Sequence, residues 1–219
     1  SLVLIDACQS LAHQKLDVID LNIDFLAGSG HKLCGPTGIG FLWSRKEILE
    51  KIPPLFGGGE MIQDVFEETS TWAELPHKFE AGTPAIAEAI GLAEAINYIN
   101  NIGLNEIHEY EKTITRYLFE KLNQIENIEI IGPSPEIDPY RASLATFYIK
   151  NIHSNDIAEI LDSKGICIRS GHHCCQPLHR YIGIKSTARI SMNFTTNKEE
   201  IDIFIEKLKD TIDFLKINS

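Results

Sequence analysis

Two short apolar runs, each closing on a chemically loaded turn, set the first limit on how this chain can fold. Leu2-Val3-Leu4-Ile5 ends at Asp6 and Ala7-Cys8-Gln9-Ser10, and Asp24-Phe25-Leu26-Ala27 ends at Gly28-Ser29-Gly30-His31-Lys32-Leu33-Cys34-Gly35-Pro36. Apolar runs without alternation are the pattern of strands buried on both faces, as in a parallel sheet. Ligands in open α/β sheets bind at the carboxyl ends of such strands. Asp6, at one strand end, and Lys32, just past another, are therefore expected to share one sheet edge.

The second turn suits an aldehyde cofactor. Lys32 offers an amine for an imine, Ser29 and His31 offer hydrogen bonds to a phosphate, and glycines let the backbone come close. Taken alone, Ser29-Gly30-His31-Lys32 reads more readily as a turn whose lysine points at water. Asp6 changes that balance, because pyridoxal phosphate needs a carboxylate beside its pyridine nitrogen as well as a lysine on its aldehyde.

The chain has 219 residues, enough for a large domain or a domain and a half. Its net charge of −11 argues against nucleic acid and anionic membrane surfaces as partners, both of which favour basic proteins. Nothing in it reads as a bilayer span or a signal peptide, so the expected setting is the cytoplasm, or a plastid. The five cysteines, Cys8, Cys34, Cys167, Cys174 and Cys175, form no C-x-x-C pair and read as reduced thiols. The chain opens inside a strand at Ser1 and is expected to be the back part of something longer.

Further along, Ile39 to Trp43 reads as a strand returning to the sheet, followed by a long helix-poor connection to about Pro84. Residues 85–100 have helical spacing, with Gly103 as the stop, and a second helix runs from about Asn105 to Gln124 into a smaller domain. There Ile128 to Ile131 and Leu144 to Ile149 are strand-like. Ser154-Asn155-Asp156 can cap a helix to Lys164, and a strand over Ile166 to Arg169 leads to a polar elbow over Ser170 to Gln176. A strand over Ala188 to Phe194 and a capping box at Thr196-Asn197-Lys198-Glu199 complete the pattern. The fold class is α/β with an appended α+β layer: residues 1–104 as part of a cofactor-binding large domain with a mostly parallel sheet, and 105–219 as a small domain.

The elbow is the second chemical centre. Arg169-Ser170-Gly171-His172-His173-Cys174-Cys175-Gln176-Pro177 gathers an arginine, two imidazoles and two thiols. Zinc is the competing reading, but adjacent residues of a tight loop seldom ligate one ion, and no metal is expected. A thiol on a turn beside imidazoles can instead serve as a nucleophile, whereas Cys8, Cys34 and Cys167 read as inert. Arg169 and Arg189, on neighbouring strands, could hold a carboxylate, although either alone would more often be a surface ion-pair partner.

Together Asp6-Ala7-Cys8-Gln9, Ser29-Gly30-His31-Lys32-Leu33, Phe79-Glu80-Ala81-Gly82-Thr83-Pro84 and Arg169-Ser170-Gly171-His172-His173-Cys174 resemble the SUF-type, group II cysteine desulfurases of the class V aminotransferase family. The resemblance implies a fold type I enzyme that uses pyridoxal 5′-phosphate to move sulfur from L-cysteine onto Cys174, releasing alanine, for iron–sulfur cluster assembly. It implies that Lys32 holds the cofactor aldehyde, with His31 beside it in the catalytic set, that Asp6 faces the ring nitrogen, and that Gln9 faces the ring hydroxyl. It assigns Ser29 and His31 to the phosphate, Thr83 to the phosphate of the other protomer in a homodimer, and Arg169 and Arg189 to the substrate carboxylate. It also implies a SufE-like sulfur acceptor and a selenocysteine lyase side activity.

Two departures qualify the resemblance. Cys175 directly follows the expected nucleophile, and Cys174 is chosen because it follows the His-His pair. The family's N-terminal region, which supplies phosphate-loop residues and a histidine stacked on the ring, has no counterpart here, so this piece alone is expected to be inactive. The alternatives are another enzyme of the same fold (aminotransferase, kynureninase-like hydrolase, epimerase or selenocysteine lyase) or a catalytically silent sulfur-carrier or interface module.

Overall fold

A computed structural model describes residues 1–217. Its contacts divide the chain into two compact units, the first Ser1–Glu106 and the second from Ile107 onward. No helix among the described residues is long and apolar enough to cross a membrane.

The first unit is built on a three-stranded sheet in the order β1-β2-β3, with β1 Leu4–Asp6, β2 Phe25–Ser29 and β3 Gly40–Ser44. β1 and β2 are parallel, with Asp6 opposite Ala27, and β3 returns antiparallel so that Ser29 faces Gly40. Both loaded turns thus leave the same sheet edge. Ala7, Ile23 and Leu26 form the small core beneath it. The expected two-sided burial of the first run does not hold: Leu2 and Leu4 are 64% and 59% exposed, and β1 stands at the edge of this sheet.

A short helix α1, Lys46–Leu49, precedes the long connection. That connection holds an antiparallel hairpin of β4 Ile62–Val65 and β5 Ser70–Trp72, which the sequence did not disclose. Its side chains are mostly exposed, so no alternation of apolar and polar residues marks it. Helix α2, Ile86–Ile102, ends at Gly103 with φ +98°, a conformation that favours glycine. α2 packs on the Lys32 turn so closely that a Cβ on Gly91 would stand 2.9 Å from Pro36 Cγ.

Helix α3, Leu104–Leu122, crosses the boundary and lays Ile114, Leu118 and Leu122 into the core of the second unit. That unit has a four-stranded antiparallel sheet in the order β6-β7-β9-β8: β6 Ile128–Ile131, β7 Leu144–Ile149, β8 Arg169–Gly171 and β9 Thr187–Ser191. Phe147 and Ile149 of β7 meet Ile157 and Leu161 of α4, Ser154–Ser163, and Phe204 and Leu208 of α6, Lys198–Ile217.

Three local expectations are corrected in this unit. The α4 cap is His153, whose Nδ1 accepts from the Asn155 amide, rather than Ser154. The capping box lies one residue later than expected: the Glu200 amide donates to Asn197 Oδ1 and the Asn197 amide to Glu200 Oε2, each at 2.9 Å. β8 starts at Arg169 because Ile166 and Ile168, although apolar, pack on the core from outside the ladder. The elbow also runs into an unforeseen helix, α5 Gln176–Ile182, with Pro177 in its first turn and Gly183 left-handed at its end.

Candidate functional site

The first cluster sits where β1 and β2 release their chains. A 3-10 turn over Gly30–Leu33 follows β2 directly, its Gly30 amide donating to Ile39 O and the Gly35 amide closing it onto Gly30 O. The turn admits no side chain at Gly30, where a Cβ would lie 2.7 Å from Ile39 Cγ2 and 2.9 Å from Ile39 O. That close approach presents Ser29, His31 and Lys32 in sequence at the strand end, with Ser29 Oγ 3.0 Å from His31 Nδ1.

Across the parallel pair, Asp6 Oδ1 accepts the Cys8 amide at 3.0 Å. Hydrogen bonds from the Cys8 thiol and amide, with the nearby Lys32 charge adding, hold the Asp6 carboxyl below its ordinary range. The same carboxylate pushes the Cys8 thiol up, and Cys8 Sγ lies 3.9 Å from Ala27 O. Asp6 and Lys32 are therefore within electrostatic reach of each other, although 26 positions apart in the sequence. Gln9 is exposed in the helical turns after β1. Thr83 is exposed beyond Gly82, whose φ is +81° and whose amide donates to Gly59 O.

The second cluster is the elbow. The Cys175 amide donates to His172 O at 2.9 Å, and the two central residues, His173 and Cys174, have φ of +50° and +62°. Positive φ at both central positions is the pattern of a type I′ turn, usually filled by Asn and Gly. The turn gives the two thiols different partners. Cys174 is exposed and accepts from Arg169 Nη2 at 3.5 Å, while half-buried Cys175 donates to His172 O at 3.0 Å.

Arg169 stands directly opposite Arg189 in the β8–β9 pairing, which puts two guanidinium groups on one sheet face. Arg189 Nε is buried without a protein partner, so the pair has unspent capacity for an anion. His173 sits beneath the turn with Nε2 3.1 Å from Thr187 O and Nδ1 buried without a partner. Burial first, then Arg189 and Arg169, push its imidazole below the ordinary value, which favours the neutral ring. Behind it, buried His179 places Nε2 3.1 Å from Thr187 Oγ1. Among the described residues no group of three or more His, Cys, Asp or Glu is placed to hold a metal ion.

Residues 1–204 match the aminotransferase class-V family, and the chain belongs to it. Over 212 residues it is 53% identical to a probable cysteine desulfurase of Synechocystis sp., covering 97% of this chain and 50% of that protein. The apo cysteine desulfurase of Thermococcus onnurineus aligns with a TM-score of 0.91 at 37% identity, over 97% of this chain and 53% of that one. A C-DES variant carrying glycine covalently linked to its PLP cofactor aligns with a TM-score of 0.79 at 26% identity, over 95% and 51%. The chain thus spans about half the length of the relatives it matches.

Proposed function

We propose that the whole protein is a cysteine desulfurase that moves sulfur from L-cysteine to Cys174 and releases L-alanine, with pyridoxal 5′-phosphate as cofactor. The observation that carries this reading is Cys174: an exposed thiol on a type I′ turn with a guanidinium 3.5 Å from its sulfur. Transaminases and epimerases of the same fold have no use for such a thiol.

The residues present fit the cofactor. A Cβ-free approach at Gly30, an adjacent Ser29–His31 pair, and a carboxylate held ionised near Lys32 match the phosphate, the ring nitrogen and the aldehyde it would bring. When bound, it supplies an electron sink for the carbon α to the substrate amine. Lys32 would hold the aldehyde and, with its amine free, would take the Cα proton of the substrate. Asp6, held ionised, would face the ring nitrogen and favour its protonated form, Gln9 would face the ring hydroxyl, and Ser29 and His31 would hold the phosphate. Thr83 reaches the phosphate of the second protomer of a homodimer.

The paired guanidinium groups of Arg169 and Arg189 take the substrate carboxylate. The Cys174 thiolate attacks the substrate sulfur; the C–S bond breaks, its electron pair returns to carbon and is protonated, and a persulfide remains on Cys174. A SufE-like protein collects that sulfur for iron–sulfur assembly in the cytoplasm, and selenocysteine is a second substrate.

Alanine release from L-cysteine by the full-length holoenzyme, with a thiol reductant present, tests the proposal. Cys174→Ala abolishes release, whereas Cys175→Ala retains it; undiminished release by Cys174→Ala removes the mechanism.

A further inference from the structure

Cys175 and His179 take no part in the reaction above, yet they form an ordered set of their own. Cys175 Sγ lies 3.0 Å from His172 O and 3.7 Å from His179 Nδ1, and His179 Nε2 lies 3.1 Å from Thr187 Oγ1. His179 Nδ1 is also 3.2 Å from Cys175 O, so its ring has two usable tautomers. With the proton on Nε2 and donated to Thr187, Nδ1 is free to accept from the Cys175 thiol once its single proton turns away from His172 O. This is a nucleophile, a base and an orienting group. It stands one residue from the thiol that receives sulfur.

We infer that Cys175 is a resolving thiol: when no acceptor collects the sulfur, Cys175 attacks the Cys174 persulfide, expels hydrosulfide and leaves a Cys174–Cys175 disulfide. The inference rests on the desulfurase reading, which supplies the persulfide. His179 takes the Cys175 proton, and the thiolate forms a bond to Cys174 Sγ. The bond from Sγ to the terminal sulfur breaks, and the terminal sulfur leaves with the electron pair as HS⁻. The two cysteines are oxidised and the sulfane sulfur is reduced, so no outside oxidant is needed.

Geometry selects this step over simple handing-on of the sulfur. Displacement at sulfur requires the attacking and leaving atoms to be nearly in line. A tether of one peptide unit lets Cys175 reach Cys174 Sγ with the terminal sulfur departing outside the ring being closed. Attack on the terminal sulfur would place the leaving Sγ inside that ring and bar the line. The product is a strained bridge, since neighbouring Cα atoms are about 3.8 Å apart and disulfides ordinarily span about 4.4–6.8 Å. A strained, accessible disulfide is readily reduced, so a cellular thiol reopens it and restores the enzyme.

The test is a single turnover of the full-length holoenzyme under anaerobic conditions, with one equivalent of L-cysteine and no reductant, followed by mass analysis of the tryptic segment Ser170–Arg180. In the unmodified protein the segment becomes lighter by two hydrogens and about one equivalent of hydrosulfide appears. In Cys175→Ala and Cys175→Ser it stays heavier by one sulfur atom and hydrosulfide release is lost. A persulfide that persists equally in the unmodified protein and in both variants overturns the inference while leaving the desulfurase reading intact. No alanine and no added sulfur in any of the three forms overturns the desulfurase reading, and this inference with it.

Discussion

The Arg169 guanidinium donates to the Cys174 sulfur at 3.5 Å, and the Cα of Arg169 stands opposite that of Arg189 across the β8–β9 ladder. One arginine thus holds the thiol of the turn and faces the second cation that would bind substrate. Like charges directly opposite each other in a sheet oppose folding. An anion bound between them, as proposed for the substrate carboxylate, would offset that cost.

Replacing Arg189 by alanine should therefore weaken L-cysteine binding more than turnover. A lost charge-assisted hydrogen bond is worth about 1.5–3 kcal/mol, a rise in KM of about 10–150-fold. Arg189→Lys should recover only part of it, because an ammonium lacks the bidentate fork. Steady-state kinetics of the full-length enzyme reads this directly, and an unchanged KM would dissociate Arg189 from the carboxylate.

His173 gives the second unit a pH dependence. Its folded imidazole resists protonation because of burial and the neighbouring arginines, whereas unfolded His173 takes up a proton at its ordinary value of 6.5. The unfolded state then binds more protons below 6.5, so this contribution is present above that pH and is lost as the pH falls through it towards the folded value. Chemical unfolding at a series of pH values should show a shallower acid-side decline in His173→Gln than in the unmodified protein. Parallel declines would mean that other groups set the slope.

Gly30→Ala should cost about 1–3 kcal/mol by overpacking against Ile39 and should displace the Ser29–His31–Lys32 turn. Loss of cofactor from the full-length protein at a denaturant concentration that the unmodified form tolerates is the expected result. At the other end of the chain, Asn197→Ala removes half of a capping box and should lower stability by about 1 kcal/mol, with activity unchanged.

The parts of the fold legible in the sequence were those written in apolar blocks. Ile128–Ile131 and Leu144–Ile149 are strands with the bounds expected, and Gly103 stops α2 through a backbone conformation few other residues tolerate. β4 and β5 were hidden because their side chains face solvent and carry no alternation, and α5 because seven residues hold too little periodicity. At the candidate site, Asp6 and Lys32 could be paired beforehand because each closes a strand of one sheet. The choice of Cys174 over Cys175 rests in the sequence on its place after the His-His pair; the different exposure and partners of the two thiols come from the positive φ of His173 and Cys174, which no apolar pattern marks.

The central claim is that sulfur from L-cysteine lands on Cys174 by a reaction that requires Lys32. Full-length protein carrying Cys175→Ala, incubated with L-cysteine labelled on sulfur and mapped by peptide mass, measures this directly. Label on Cys174, lowered about 10²-fold or more when Lys32→Ala is added, is the predicted result. Label on Cys8, Cys34 or Cys167, or label on Cys174 that persists without Lys32, would contradict the account.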